Sequence, residues 1–212
     1  MIFCRLDLYF FPILDIYTPI DRTILGYKEL FSPIRRFSMK KAAVIHDLSG
    51  FGKCSLTAAI PVLSALGVQC CPVATAVLTG QTGYPCYHCT DLTAMLPDYI
   101  DAWGKNNAHF DAIYSGFLTG AKQISQVLDF IRQFREEHTL LLVDPVMGDD
   151  GNAYPFFTPG LLNGMKELTL EADVITPNLT EACLLADIPE DALLHCRTNT
   201  DLLKLAEDVA LR

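Results

Sequence analysis

From residue 41 onward, short apolar segments alternate with segments of helical periodicity. The segments 68–78 and 140–143 are rich in Val, Ala, Thr and Leu, which is typical of strands buried on both faces. Residues 121–137 carry apolar side chains at helical spacing. This alternation predicts βαβ units and a mainly parallel sheet, so the predicted fold class is α/β. The predicted strands are 41–45, 68–78, 112–114, 140–143 and 173–175, and the predicted helices are 55–66, 92–103, 121–137, 161–170, 179–186 and 199–211.

Small and polar residues follow each of the predicted strands. In parallel sheets, ligands bind beyond the carboxyl ends of the strands. Packing alone does not explain why so many strand ends carry glycine, hydroxyl and carboxylate groups. The pattern therefore predicts a binding site along this edge of the sheet. The segments concerned are 46–53, 79–84, 115–120, 144–151 and 176–181.

Composition excludes several classes of protein. The chain of 212 residues is 50% hydrophobic and 19% charged, which is not the composition of a disordered protein. Its net charge of −9 and pI of about 4.9 disfavour nucleic acid and anionic membranes as partners. No segment reaches the roughly 18 uncharged apolar residues that a membrane helix needs. With no recognisable secretory signal, we expect a cytoplasmic protein.

Residues 1–38 differ from the rest of the chain. They hold five Lys or Arg against four Asp or Glu, and eight of the aromatic residues, without any sustained periodicity. Met39-Lys40-Lys41 and an apolar strand follow, as at a natural protein start. We therefore predict that 1–38 is a non-native or poorly ordered extension and that 39–212 is the folded domain. The alternative is that 1–38 is a docking segment.

The eight cysteines raise the question of a metal or redox site. Cys86 and Cys89 form one Cys-x-x-Cys pair, but no second pair stands at zinc-finger spacing. The pair also follows a Gly-Tyr-Pro turn, whereas a thioredoxin-like motif opens a helix after a strand. We expect reduced and mostly buried thiols. A metal or redox role for this pair stays open as an alternative.

The glycine turn at 50–53 does not fit a phosphate-binding P-loop. That motif needs Gly where Asp47 stands and Ser or Thr where Cys54 stands. Residues 50–53 form either a tight turn before the next helix or a glycine wall that lets backbone approach a flat ligand.

The carboxylates at two other strand ends have two interpretations each. A carboxylate of the strand end 144–151, which carries Asp144, Asp149 and Asp150, suits a hydrated Mg²⁺, because this ion needs only one or two protein carboxylates. An N-cap role for Asp is the alternative. Asn178 and Glu181 have the spacing of a helix N-cap and its capping-box partner. The same spacing places an amide and a carboxylate at the edge where a ligand would bind.

Together these segments resemble the vitamin-kinase branch of the ribokinase-like superfamily, which includes pyridoxal/pyridoxamine kinases and hydroxymethylpyrimidine kinases. The resemblance lies in Asp144-Pro-Val-Met-Gly148 and in Thr176-Pro-Asn178-x-x-Glu181, and it extends in order over residues 42–187. The loop 79–84 and the segment 114–118 resemble the pyridoxal kinases in particular. The resemblance implies a three-layer α/β/α sandwich with a mainly parallel central sheet.

The activity that the resemblance implies is ATP-dependent phosphorylation of the 5′-hydroxymethyl group of pyridoxal, pyridoxine or pyridoxamine, with Mg²⁺ as cofactor. Members of the family are commonly homodimers. The alternatives are a hydroxymethylpyrimidine kinase and a non-catalytic protein that binds vitamin B6. The resemblance assigns substrate binding to Asp47, Gln81, Thr82 and Tyr84, nucleotide binding to Asp144, Asp149, Tyr154, Asn178 and Glu181, and the metal to Asp144 and Glu181.

One family feature is missing from the sequence. The superfamily carries a late Gly-x-Gly-Asp segment, whose amides form an anion hole and whose Asp takes the proton of the substrate hydroxyl. After Glu181 this sequence contains no glycine. We therefore assign no catalytic residue in this chain, expect the kinase domain to be incomplete at its C-terminus, and expect slow or no turnover.

Overall fold

The computed structural model describes residues 39–188 together with 196, 198, 200, 201 and 204. The predicted extension at 1–38 and most of the predicted helix 199–211 lie outside the described residues. None of the helices in the described part of the chain is long and apolar enough to cross a membrane.

A six-stranded sheet forms the centre of the fold. Its strand order is β3-β2-β1-β4-β5-β8, and every neighbouring pair is parallel except β2 and β3. A separate two-stranded hairpin joins β6 and β7. The strands are β1 (Lys41–Ser49), β2 (Gln69–Leu78), β3 (Cys89–Asp91), β4 (Ala112–Ser115), β5 (Leu140–Val143), β6 (Gly148–Asp149), β7 (Asn152–Ala153) and β8 (Val174–Ile175).

The connections between the parallel strands are helical. A 3₁₀ turn at Thr93–Met95 precedes the second helix. Thr158 caps the fourth helix by accepting a hydrogen bond from the Leu161 amide, and Pro159 occupies its first turn. The helices are α1 (Ser55–Ala65), α2 (Leu96–Lys105), α3 (Ala121–Phe134), α4 (Pro159–Leu170) and α5 (Leu179–Leu185).

The helices cover the two faces of the sheet unequally, which gives three layers. One face carries the larger core, in which Ile45 and Ile113 pack against side chains such as Leu96 of α2 and Phe130 of α3. On the opposite face, Ala42 and Val44 pack against Leu56 of α1. Consecutive residues of β1 therefore alternate between two cores, and residues 42–47 are buried without a break.

The predicted strands and helices of residues 41–186 are all present, with ends shifted by a few residues. The parallel sheet and the α/β class are confirmed. Two elements were missed: the edge strand β3, which pairs antiparallel with β2, and the β6–β7 hairpin. Both are two or three residues long. Such short segments show no periodicity, because their strand geometry comes from the partner they pair with.

Strand β1 lies between β2 and β4. The strands that follow β1 in sequence are added first on one side of it, as β2 and β3, and then on the other side, as β4, β5 and β8, so the direction of strand order reverses at β1. In open α/β sheets, this reversal separates the loops that follow the two neighbouring strands and leaves a crevice. Here the crevice lies beyond the carboxyl ends of β1 and β4. The fold therefore places the segments 46–53 and 115–120 on either side of one opening.

The imidazole of His46 packs directly over Gly116 at this crevice. His46 is 3% exposed, and its Nδ1 accepts a hydrogen bond of 3.2 Å from the Phe117 amide. A Cβ atom on Gly116 would lie 1.8 Å from Cε1 and Nε2 of the ring. Only glycine allows β1 and the segment after β4 to approach this closely.

We therefore expect Gly116→Ala to destabilise the protein by about 1–3 kcal/mol, the usual cost of overpacking a buried site. Urea denaturation followed by circular dichroism measures this change in the free energy of unfolding. Gly160→Ala is the control, because a Cβ there meets no atom closer than 3.6 Å and the position lies in α4. Equal stability of the two variants would contradict the packing described for His46.

Candidate functional site

Two loops join to form one wall of the crevice. The Gly50 amide donates to the Leu78 carbonyl at 2.9 Å, and the Gln81 amide donates to the Phe51 carbonyl at 2.9 Å. The rings of Phe51 and Tyr84 lie 4.9 Å apart. The glycine turn 50–53 and the loop 79–84 are thus held together by backbone hydrogen bonds and a ring contact.

The backbone conformation at position 52 of this wall favours glycine. Its φ of 102° lies in the region that favours glycine, and a Cβ there would approach the Gln81 side chain to 3.0 Å. The turn interpretation is confirmed, because residues 50–53 lead into α1. The turn also lies against the loop that borders the cavity described next, and the approach of a flat ligand to it stays a prediction.

The first cavity lies between this wall and the segment after β5, and its volume is about 430 Å³. Five of the residues predicted for the site line it, and they come from three separate strand ends. Tyr84 is not among the lining residues; it is 38% exposed and packs on Phe51. The lining residues are Asp47, Ser49, Cys54, Ser55, Leu78, Gln81, Thr82, Gly83, Phe117, Val146, Asp149, Tyr154 and Phe156.

Asp149 and Tyr154, which the sequence assigned to the nucleotide, therefore lie beside Gln81 and Thr82, which it assigned to the substrate. Burial raises the pKa of the Tyr154 phenol, and the nearby Asp149 carboxylate adds to this. Tyr154 is therefore a neutral hydrogen-bonding group at physiological pH. The structure places these four side chains around one space.

Several cavity residues escaped the sequence analysis. Phe117 and Phe156 supply an apolar wall, with ring centroids 5.7 Å apart in an edge-to-face arrangement. The backbone of Phe117 is fixed on both sides, because its amide donates to His46 and its carbonyl accepts from Thr75 Oγ1 at 2.9 Å. Phe117 lies in the segment 115–120, which the sequence analysis predicted to border a binding site. The sequence does not indicate whether an apolar residue in such a segment faces a core or a ligand.

Asp47 is the most buried charged group of the first cavity, with 4% of its surface exposed. Its Oδ2 accepts a hydrogen bond from Ser49 Oγ at 2.8 Å. Burial alone would raise the pKa of Asp47, but polar contacts with His46, Ser55 and Ser49 outweigh burial and lower the pKa below its ordinary value. The side chain is therefore a buried carboxylate anion.

Glu181 and Asn178 form a complete capping box at the start of α5. The Glu181 amide donates to Asn178 Oδ1 at 3.0 Å, and the Asn178 amide donates to Glu181 Oε2 at 2.9 Å. Asn178 Nδ2 also donates to the Gly148 carbonyl at 2.8 Å, and the Met147 amide donates to Glu181 Oε1 at 3.2 Å. The capping interpretation is confirmed, and these side chains also tie α5 to the β6–β7 hairpin. Their contact with a nucleotide stays a prediction.

The electrostatics of Glu181 are unusual for a capping residue. It is only 4% exposed, and burial raises its pKa to about 7 despite the backbone hydrogen bonds that favour the charged form. The charge of Asp144 raises the pKa of Glu181 further. Burial also raises the pKa of Asp144. Two carboxyl groups thus repel each other in a poorly hydrated region beyond β5.

A second cavity, also about 430 Å³, opens on the α1 side of the sheet. Asp144 is the only residue predicted for the site that lines it. His46 Nε2 is buried there without a hydrogen-bond partner, although Nδ1 is occupied by the Phe117 amide. Burial and the charge of Asp144 raise the pKa of Tyr114 to about 12. The lining residues are His46, Cys54, Ser55, Ala58, Ala59, Val62, Leu63, Tyr114, Asp144 and Val146.

The structure gives no support to a metal site at the Cys-x-x-Cys pair. Cys86 and Cys89 are both free thiols. Within residues 39–188 and the few described residues beyond, no three His, Cys, Asp or Glu side chains are arranged to hold a metal ion. A Mg²⁺ ion held by two carboxylates and a phosphate would not need such a group of three.

Comparison with known proteins gives a consistent result. Residues 52–210 match the family model described as phosphomethylpyrimidine kinase. The pyridoxine/pyridoxal/pyridoxamine kinase of Bordetella avium is 34% identical over 143 residues, which are 64% of this chain and 47% of that protein. The chain spans between 26% and 51% of the length of the curated relatives it matches.

Two solved structures share the fold. A Bacteroides thetaiotaomicron protein ascribed to the phosphomethylpyrimidine kinases and crystallised with pyridoxal is 44% identical, with a TM-score of 0.73 over 81% of this chain and 59% of that one. Pyridoxal kinase of Lactobacillus plantarum is 35% identical, with a TM-score of 0.67 over 72% of this chain and 54% of that one. These likenesses confirm the ribokinase-like α/β architecture. Since the family match extends over most of the sequence, the chain belongs to the phosphomethylpyrimidine kinase family.

Proposed function

We propose that this chain belongs to a kinase that transfers the γ-phosphoryl group of ATP to the 5′-hydroxymethyl group of pyridoxal, pyridoxine or pyridoxamine. The observation that carries the proposal is the first cavity, which lies at the carboxyl edge of the sheet beside the reversal of strand order. Its volume of about 430 Å³ lies within the range of small-molecule sites. The relatives named as pyridoxal kinases support the choice of substrate.

The lining of the first cavity suits a flat, polar aromatic ring. Leu78, Phe117 and Phe156 supply apolar surface for the ring faces. Asp47, Gln81 and Thr82 supply hydrogen-bonding groups for ring substituents. Tyr84, the last residue of the loop 79–84, packs on Phe51, and its proposed role is to cover the bound ring. These roles agree with the substrate-binding set that the sequence predicts.

Asp144 and Glu181 are proposed to hold Mg²⁺ beside the nucleotide phosphates. The donors are carboxylate oxygens, the type that Mg²⁺ prefers. The pKa of each carboxyl is raised by burial, and the two repel each other, so a divalent cation would stabilise both charged forms. When bound, Mg²⁺ neutralises charge on the phosphates during transfer. Asp149, Tyr154 and Asn178 are proposed as further nucleotide contacts.

Phosphorylation of a hydroxymethylpyrimidine is the second candidate function. The family description and the name of the Bacteroides thetaiotaomicron relative favour it. That relative was nevertheless crystallised with pyridoxal. A pyrimidine and a pyridine ring of this size both fit the apolar walls, so binding measurements must separate the two functions.

We expect pyridoxine to bind the first cavity more tightly than 4-amino-5-hydroxymethyl-2-methylpyrimidine, as measured by isothermal titration calorimetry on the complete 212-residue chain. Val146→Trp places an indole against the cavity and should weaken pyridoxine binding by about tenfold or more, because the ring loses its space. The control is Val62→Trp on α1, where Val62 is 57% exposed and borders only the second cavity. Tighter binding of the pyrimidine would favour the second function instead.

Turnover by this chain should be very slow. Residues 182–212 contain no glycine, so these residues supply neither the anion hole nor the base of a Gly-x-Gly-Asp segment. Loss of such groups costs several orders of magnitude in rate. Incubation with Mg-ATP and pyridoxine, with chromatographic detection of pyridoxine 5′-phosphate, measures the residual rate. Rapid turnover would refute this expectation and would also exclude a purely non-catalytic B6-binding protein.

The raised pKa of Glu181 predicts a specific pH dependence of stability. Its pKa is about 7 in the folded protein against an ordinary 4.5, so protonated Glu181 stabilises the fold below pH 4.5 and this contribution is lost as the pH rises through 7. Between pH 5 and 8, the group should lower the free energy of unfolding by about 2–3 kcal/mol. Urea denaturation at several pH values measures this slope.

Glu181→Gln should remove that part of the slope, because the amide does not titrate. The variant also loses one acceptor of the capping box, so its stability should be lower at pH 5 and closer to that of the unmodified chain at pH 8. Glu167→Gln, on the exposed side of α4, is the matched control and should leave the slope unchanged. An identical pH slope in Glu181→Gln and the unmodified chain would contradict the electrostatics assigned to this site.

A further inference from the structure

The charged side chains that line the first cavity are all acidic. They are Asp47 and Asp149, and no Lys, Arg or His is among the described residues that line this space. Asp149 is exposed to solvent, which screens its charge, whereas Asp47 is 4% exposed. The field felt by a ligand in the cavity is therefore set chiefly by Asp47.

The carboxylate of Asp47 has no Lys or Arg partner among the described residues. The nearest basic group is His46, whose Nδ1 lies 3.9 Å from Asp47 Oδ1. That nitrogen accepts a hydrogen bond from the Phe117 amide, and 3.9 Å is too long for a hydrogen bond to Asp47. Ser49 contributes a neutral hydroxyl at 2.8 Å. An anion buried without a lysine or arginine beside it is costly, and a cation brought by a ligand reduces that cost.

The B6 vitamers differ in the charge that their 4′ substituent brings into the cavity. Pyridoxamine carries a primary ammonium on its 4′ carbon at neutral pH, whereas pyridoxine carries a hydroxyl on the same carbon. The two molecules have nearly the same size and shape, so the apolar walls cannot distinguish them. A buried carboxylate can, because exchanging the hydroxyl for an ammonium supplies the missing counter-charge.

Building on the proposed function, we propose that Asp47 is a specificity-determining residue that makes the first cavity selective for the amine vitamer, through an ion pair between its carboxylate and the 4′ ammonium. The preferred substrate class is then a hydroxymethylpyridine with a primary amine. The aldehyde and alcohol vitamers bind the same cavity without this pair.

The test compares pyridoxamine and pyridoxine by isothermal titration calorimetry on the complete chain at pH 7. Pyridoxamine should bind about tenfold more tightly or better, in line with a charge-assisted hydrogen bond at a buried site. In Asp47→Asn, which keeps the shape and one acceptor oxygen, the two affinities should come within about threefold of each other. Asp101→Asn, on the exposed surface of α2, is the control and should keep the full preference.

The outcomes separate the two proposals. Equal affinities in the unmodified chain, or a preference for pyridoxamine that survives Asp47→Asn, would overturn the role of Asp47 while leaving vitamer binding intact. If neither vitamer binds, both proposals fall. A crystal structure of the unmodified chain with pyridoxamine provides a readout that does not depend on the folding of a variant. The ammonium nitrogen should lie within hydrogen-bonding distance of the Asp47 carboxylate, and any other position of the amine overturns the proposal.

Discussion

Parallel pairing of β1 with strands on both sides is the constraint on which the rest of the structure depends. β1 pairs with β2 along most of its length and with β4 at residues 42–45. These ladders bury residues 42–47 and bring the carboxyl ends of three strands to one edge. Gly116 permits the close approach, since any side chain there would collide with His46. The crevice and its first cavity exist because this central strand is enclosed on both sides.

The edge that results is acidic and partly dehydrated. Asp47 is buried as an anion, while burial raises the pKa of Asp144 and of Glu181. The difference has a physical cause: the polar contacts of Asp47 with His46 and two serines outweigh its burial, whereas burial outweighs the polar contacts of Asp144 and Glu181. Each group would be stabilised by a cation, an ammonium in the first case and Mg²⁺ in the second. The net charge of −9 therefore does not argue against an anionic nucleotide, because a metal ion can mediate its binding.

At this edge, residues proposed to contact the nucleotide also have a structural role. Asn178 and Glu181 cap α5 and hold the hairpin after β5 through Gly148 and Met147. A capping box thus fixes the position of the loop that carries Val146 and Asp149 into the first cavity. Of the two interpretations that the sequence left open for these residues, the capping one is confirmed, and the ligand contact stays a prediction. The cap determines where the loop lies. Substitutions at Asn178 or Glu181 should for this reason change stability and binding together.

The sequence by itself determined the α/β class and the order of the helices and parallel strands, because hydrophobic periodicity and polar strand ends are local signals. Five residues of the first cavity came from the family resemblance of the sequence. The sequence did not reveal β3 or the β6–β7 hairpin, whose few residues become strands only by pairing. It also did not reveal that Phe117 and Phe156 form a cavity wall, or that Tyr84 packs on Phe51 rather than lining the cavity. The tertiary structure alone decided which carboxylates are buried and which neighbours they have, and those long-range contacts set the charge that a ligand meets.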